Sequence, residues 1–309
     1  MATHTRANLL LLLTAAIWGV AFVAQRIGMN SIGPFTFNGI RFALGACSLL
    51  PLLFQMRGRR DDAPESRRSR ILAGGLAAGV VMFIGASLQQ IGIVYTTAGN
   101  AGFITGLYVV IVPIVGIFLK QTTTTNTWIG AVFAVIGMYL LSVNDALRIN
   151  RGDVLELIGA FFWAAHVQLI GWLTRRINPL KIAFLQFLTC SCFSLFAALL
   201  VESITWQSVA RAAIPLAYGG FLSVGVAFTL QVVAQRDAQP AHAAIILSLE
   251  AVFAALGGWL ILGERLSARG VVGCGLMLIG MLISQALLTR NQFKRLWTKR
   301  PEERRENSL

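Results

Sequence analysis

A few residues in this chain have chemically active side chains at positions where such groups are costly. Glu250 stands in the middle of the apolar run 241–262, and Arg41 lies inside the run 34–55. Trp18 and Trp163 each fall near the centre of an apolar run. Counting about 1.5 Å of rise per residue from the expected helix ends places both tryptophans and Glu250 roughly 14–17 Å deep, and Arg41 about 10 Å deep. A charge at the bilayer centre costs at least ~2.5–3.5 kcal/mol on insertion scales, so such groups face a protein interior or a wet cavity. Glu250 therefore has two open readings. It either couples a proton or meets a cationic group of a substrate, or it is a neutral acid bonded to a neighbouring helix. Arg41 either lines a cavity and holds a carboxylate or phosphate, or snorkels to the headgroups, or pairs with Glu250.

The neighbours of these residues complete the candidate set. Asn38 precedes Arg41 by three residues and shares its helical face. The position equivalent to Arg41 in the second half is the neutral Gln186, so one half carries a guanidinium and the other a carboxyl, a pairing suited to a zwitterion such as an amino acid. Trp18, Phe22 and Gln25 fall on one face, and Trp163 and His166 on another. Such stripes serve either core packing or a substrate wall; tryptophan facing lipid favours the interfaces rather than mid-depth. His166 is either a proton relay or a histidine bonded to a carbonyl. Gln89 and Gln231 lie toward opposite ends of their runs, as gating residues or as helix-end polar groups reaching water. The candidate substrate contacts are Trp18, Phe22, Asn38, Arg41, Trp163, His166, Gln186 and Glu250, with Gln89 and Gln231 as candidate gates.

The elements that must position these groups are about ten apolar segments, at 7–25, 34–55, 71–92, 98–119, 125–143, 154–173, 180–202, 211–234, 241–262 and 268–289. Hydrophobic residues make up 56% and charged residues 13% of the chain, too few charges for the surface of a soluble domain. Runs of roughly 18–25 residues match a helix crossing a ~30 Å hydrocarbon core and are too long for alternating barrel strands. An all-α integral membrane protein follows. The net charge of +13 suggests nucleic acid only until its distribution is considered. With a cytoplasmic N-terminus, inner segments hold 19 of the 26 Lys and Arg, concentrated in the loop 57–70 and the tail 290–309. That bias obeys the positive-inside rule with both termini cytoplasmic. It favours membrane lipid over nucleic acid as the partner of these segments.

The second five segments repeat the first five. At an offset of 145, Trp18 falls on Trp163 and Pro34 on Pro179. At 143, Ile136-Gly137-Met138 meets Ile279-Gly280-Met281, and at 142 Leu88-Gln89 meets Leu230-Gln231. An odd number of crossings turns the second copy over, the arrangement of carriers that alternate between two faces. The expected division is a first five-helix repeat at 1–143, a linker at 144–153, a second repeat at 154–289 and a basic cytoplasmic tail at 290–309.

Several motifs carry a resemblance. They are Trp18-Gly19 with Phe22, Arg41, the run Phe103-Ile104-Thr105-Gly106-Leu107-Tyr108 leading to Pro113, Ser248-Leu249-Glu250-Ala251, and Leu262-Gly263-Glu264-Arg265-Leu266. Together they resemble the drug/metabolite transporter superfamily, EamA type, over nearly all of 7–289. The resemblance implies ten transmembrane helices as two inverted five-helix repeats, in a multi-pass protein of the bacterial inner membrane. It also implies secondary transport, often export, of small organic metabolites such as amino acids or drug-like compounds. Two departures stand out: Ala251 where the family often has proline, and Lys120-Gln121 where Gly-Glu is expected.

Other classes find less support. No phosphate-binding Gly-x-x-x-x-Gly-Lys loop is present, so an ion or substrate gradient would drive transport, with a proton as the candidate coupling ion. A polytopic enzyme would need a nucleophile and base, paired aspartates or a metal site; no catalytic set, metal site or cofactor is expected. Cys47, Cys190, Cys192 and Cys274 all lie in apolar runs and are expected to be free thiols used for packing. A non-transporting scaffold would leave the repeat and the mid-depth polar groups unexplained.

Overall fold

Lipid offers no hydrogen bonds to a bare backbone, so a chain this apolar must satisfy its peptide groups within helices. The computed structural model describes residues 2–56, 65–96, 98–142, 151–263 and 267–298, and among these it contains helices and no strand. The helices are α1 (Ala2–Gly28), α2 (Pro34–Met56), α3 (Glu65–Tyr95), α4 (Ala98–Gly106), α5 (Tyr108–Phe118), α6 (Thr125–Ser142) and α7 (Arg151–Leu173). They continue as α8 (Pro179–Val201), α9 (Trp206–Arg211), α10 (Ala213–Ala217), α11 (Thr229–Ala234), α12 (Pro240–Leu247), α13 (Glu250–Leu262) and α14 (Ala268–Thr298). A π-helical segment, Tyr218–Phe228, joins α10 to α11. Eight helical runs among the described residues are long and apolar enough to cross a bilayer, and Thr125–Leu140 and Ala268–Ser284 are shorter apolar helices. Most of the expected linker at 144–153, part of the charged loop 57–70, Glu264-Arg265-Leu266 and the end of the tail lie outside the described residues. The helix α14 runs past the expected end at 289, to Thr298.

Helix starts follow local chemistry. Proline, which lacks an N–H and is pre-set in φ, opens α2, α8 and α12. The Asn178 side chain accepts from the Leu180 amide and caps α8. The start of α2 is capped from a distance: the Glu202 carboxylate, just beyond α8, accepts from the Phe35 and Thr36 amides at 2.8 Å and from the Thr36 hydroxyl at 2.6 Å.

Packing follows the sequence repeat. Helix α2 packs on its counterpart α8, and α6 on its counterpart α14. The contact of α1 with α12 and α13 is mirrored by that of α7 with α4 and α5, and the contact of α3 with α7 by that of the π segment and α11 with α1. The matched helices run antiparallel. A Cβ on Gly130 would stand 2.6 Å from the Gly280 carbonyl, and one on Gly137 would stand 2.5 Å from that of Gly273. Position therefore rises along α6 as it falls along α14, and the absent side chains let two backbones touch. Phe42 and Phe187, at equivalent positions 145 apart, meet with ring centroids 6.3 Å apart where α2 crosses α8.

Two of the expected spans are interrupted. The run 98–119 tightens at Leu107 into i→i+3 turns (Leu107 N to Ile104 O, 3.2 Å; Val110 N to Leu107 O, 3.0 Å). The run 241–262 does the same at Ser248-Leu249 (Leu249 N to Ile246 O and Ala251 N to Ser248 O, both 3.2 Å). Leu107 and Leu249 are 142 positions apart, so the two interruptions are one feature in two copies. Pro113 does not mark the interruption: α5 continues past it, with Pro113 buried in the helix interior.

Candidate functional site

The two interruptions place the symmetry-equivalent residues Tyr108 and Glu250 at the first turns of α5 and α13. They meet directly, the Tyr108 hydroxyl donating to Glu250 Oε1 at 3.2 Å with both residues buried. Gly19 lets α1 close over this point, since a Cβ there would lie 2.6 Å from the Glu250 carbonyl oxygen and 2.4 Å from Phe253 Cβ.

Around the crossing lies a narrow cavity of about 40 Å³, lined by seven residues from each half. Trp18, Phe22, Gln25, Arg41, Gln89, Thr105 and Tyr108 come from the first, and Trp163, Val167, Ser223, Phe228, Gln231, Leu247 and Glu250 from the second. One wall is aromatic. Phe228 contacts both equivalent tryptophans, stacked on Trp163 with centroids 5.8 Å apart and tilted against Trp18 at 4.4 Å. The π register of Tyr218–Phe228 contributes to holding this wall: the Ser223 carbonyl accepts from Trp18 Nε1 at 3.2 Å, and the Ala227 carbonyl accepts from the Thr14 hydroxyl. The sequence counterpart of this segment lies in the unbroken α-helix α3, so the π segment breaks the symmetry between the halves.

Arg41 is the buried cation of the cavity, with its guanidinium 5.0 Å from the Phe42 ring centre and 5.5 Å from that of Phe37. Its Nε is buried without a hydrogen-bond partner. Among the described residues no ion pair joins Arg41 to Glu250, so a guanidinium and a carboxyl border the same space without neutralising each other. Gln89 donates to Gln25 Oε1 at 3.3 Å, joining α3 to α1. Gln231 donates to Gln235, whose own amide donates to the Val167 carbonyl at 2.9 Å.

Of the ten sequence candidates, Trp18, Phe22, Arg41, Trp163, Glu250, Gln89 and Gln231 line this cavity. Asn38, His166 and Gln186 do not; they sit behind it. Asn38 donates to the Ala86 carbonyl at 3.0 Å, and His166 Nε2 meets Gln186 Oε1 at 2.9 Å, tying α7 to α8. His242 bridges Ser284 Oγ (2.9 Å) and Asn8 Oδ1 (3.0 Å), away from the cavity. All four cysteines are free.

Tyr108, Thr105 and Phe228 belong to the site and were not candidates in the sequence. A second acid was also missed. Glu156 is fully buried, although its sequence position near the start of α7 suggests a helix end. Thr105, which lines the cavity, donates to its Oε2 at 2.8 Å, while Oε1 is buried with no partner. Gly92 leaves the room: a Cβ there would lie 2.8 Å from that oxygen. One turn nearer the helix start, Asp153 accepts from the Thr96 hydroxyl at 2.6 Å. Arg26 donates to the carbonyls of Ile93 and Thr96 at the end of α3.

Comparison with known proteins agrees with this architecture. An "Uncharacterized transporter" of Archaeoglobus fulgidus is 33% identical over 282 residues, spanning 90% of this chain and 85% of its own length. The "Uncharacterized transporter YoaV" of Bacillus subtilis is 22% identical over 291 residues, spanning 89% of this chain and 95% of its own. A protein of known crystal structure superposes with a TM-score of 0.75 at 15% identity, covering 92% of this chain and 98% of its own, a likeness of fold. The profile of the EamA-like transporter family matches twice in succession, over residues 5–143 and 150–285, the same duplication that the packing displays. This multi-pass membrane protein therefore belongs to the EamA-like transporter family, and so to the drug/metabolite transporter superfamily, rather than to a class of enzymes.

Proposed function

We propose that the chain is a secondary carrier with ten crossings in two inverted repeats, which rocks its halves about the Tyr108–Glu250 crossing. It moves a small zwitterionic or amphipathic organic molecule, in the direction of export, across a bacterial inner membrane with both termini cytoplasmic. The observation that carries this reading is the meeting of Arg41 and Glu250 in one aromatic-walled cavity to which both halves contribute equally. A carboxylate on the substrate would find the unpaired guanidinium, an ammonium would find the carboxyl, and an apolar body would lie on Trp18, Trp163 and Phe228. Asn38, His166 and Gln186 act from behind the wall by holding α2, α7 and α8 in place. Gln89 and Gln231, each lining the cavity and bonded to a second glutamine, serve as its two gates. A proton is the coupling ion in this reading. Glu250 carries it, with Glu156 as a second acceptor reached through the Thr105 hydroxyl.

Flux into proteoliposomes tests the reading, with labelled amino acids and amphipathic cations supplied in the presence and absence of a proton gradient. Saturable, gradient-dependent uptake is expected in the wild type. Glu250→Gln abolishes the driven component while exchange persists, and Glu156→Gln slows the driven component without removing it. Equal driven flux in wild type and Glu250→Gln would remove Glu250 from the coupling.

A further inference from the structure

Away from the central cavity, two surface grooves meet at one end of the helix bundle. The first, about 640 Å³, lies beside the α5–α6 connection and the end of α7; its lining includes Lys120, Thr122, Trp172, Arg175 and Arg176. The second, about 780 Å³, runs between α3 and α7; its lining includes Arg70, Ala77, Leu169, Trp172, Leu173 and Arg176. Trp172 and Arg176 line both, so the two grooves adjoin at this pair of side chains. Their chemistry differs. The first groove is polar and cationic, whereas below Arg70 and Arg176 the second is lined by apolar side chains and Gly74. From Arg70 to Ala77 along α3 the apolar part reaches about 10 Å into the bundle's depth.

Four cations from three parts of the chain line the pair of grooves, Lys120 and Arg175 in the first, Arg70 in the second and Arg176 in both, and no aspartate or glutamate lines either groove among the described residues. Arg176 is held there: its guanidinium lies 4.3 Å from the Trp172 ring centre, and Nη1 donates to the Trp172 carbonyl at 3.0 Å. Trp172 is 54% exposed, as suits an indole at the boundary between headgroups and acyl chains. A ligand matching this surface has an anionic head, an apolar chain about ten ångströms long or more, and a junction that accepts an aromatic ring. Free phosphate would match the first groove alone, and a neutral lipid the second alone.

We propose that this double groove is a binding site for one anionic phospholipid. The headgroup phosphate sits among Lys120, Arg175, Arg176 and Arg70, and one acyl chain lies along Ala77, Leu169 and Leu173. The bound lipid fills the seam between α3 and α7, which belong to opposite repeats.

The test uses the full-length protein, delipidated in detergent, with binding read by native mass spectrometry and by quenching of Trp fluorescence. Phosphatidylglycerol is expected to bind more tightly than phosphatidylcholine. Each cation removed should weaken it about fivefold, so Lys120→Gln/Arg175→Gln/Arg176→Gln loses on the order of a hundredfold. Arg211→Gln, outside both grooves, is expected to bind as the wild type does. Phosphatidylglycerol with brominated acyl chains should quench a fluorescence component that Trp172→Phe lacks. These variants alter exposed side chains, and circular dichroism verifies that each retains its helices. Equal affinity for the two lipids, or equal loss in the triple and Arg211 variants, overturns the proposal. So does displacement of the lipid by millimolar inorganic phosphate, which would mark a free-anion site, or quenching that is undiminished in Trp172→Phe.

Discussion

The bond between Tyr108 and Glu250 ties together two symmetry-equivalent helix interruptions, and its contribution can be measured apart from transport. Tyr108→Phe removes one buried hydroxyl and leaves Glu250 Oε1 without this donor, at an expected cost of about 1–3 kcal/mol. The length of 3.2 Å exceeds the usual range for an O–H donor, so the bottom quarter of that range, about 1–1.5 kcal/mol, is expected. In a Glu250→Leu background the hydroxyl has no acceptor across the crossing. There Tyr108→Phe removes an unpaired polar group and should be neutral or stabilising. The double-mutant cycle, run by equilibrium unfolding in mixed micelles with helical circular dichroism as the readout, should therefore give a coupling of about 1–1.5 kcal/mol. If Tyr108→Phe costs the same in both backgrounds, within about 0.5 kcal/mol, the two interruptions are not coupled through this contact and the reasoning fails.

The glycine contacts make a sharper distinction. Gly280→Leu drives a side chain into the backbone of α6 and should cost about 1–3 kcal/mol or more, whereas Gly275→Ala, with open space around it, should be neutral or stabilising by up to about 1 kcal/mol; thermal denaturation in detergent compares them. Glu202→Ala removes the remote cap of α2, which should cost about 1–2 kcal/mol and speed hydrogen exchange at the Phe35 and Thr36 amides; unchanged exchange would mean that the carboxylate does not hold that turn.

The sequence made the helices, the repeat and the mid-depth groups legible because each is written in composition or spacing. Trp18, Trp163, Arg41 and Glu250 are conspicuous wherever lipid is the alternative solvent. The interruptions at Leu107 and Ser248-Leu249 are not, because leucine and serine do not break helices and the apolar run continues through both. Pro113, the visible helix breaker of that run, lies inside α5, since a proline removes one donor but does not by itself end a helix whose neighbours hold it. Glu156 carried no such signal near the start of its run: its burial comes from α3 and α4 packing over it, which no pattern along α7 reveals. Asn38 shares a face with Arg41 by spacing, yet the side chain turns to the Ala86 carbonyl on α3, so a shared face did not mean a shared cavity. The π register of Tyr218–Phe228 had no visible signal beyond its glycines.

The central claim is that two copies of one five-helix unit lie in opposite orientation around the cavity. Asn30 and Arg175 follow the first helix of each copy at an offset of 145, both in turns between described helices. In a variant lacking the four native cysteines, Asn30→Cys and Arg175→Cys can each be challenged with a membrane-impermeant thiol reagent on intact and on permeabilised cells. The account predicts that Asn30→Cys reacts in intact cells and Arg175→Cys only after permeabilisation. Reaction of both from the same face would contradict the inverted repeat and the alternating carrier built on it.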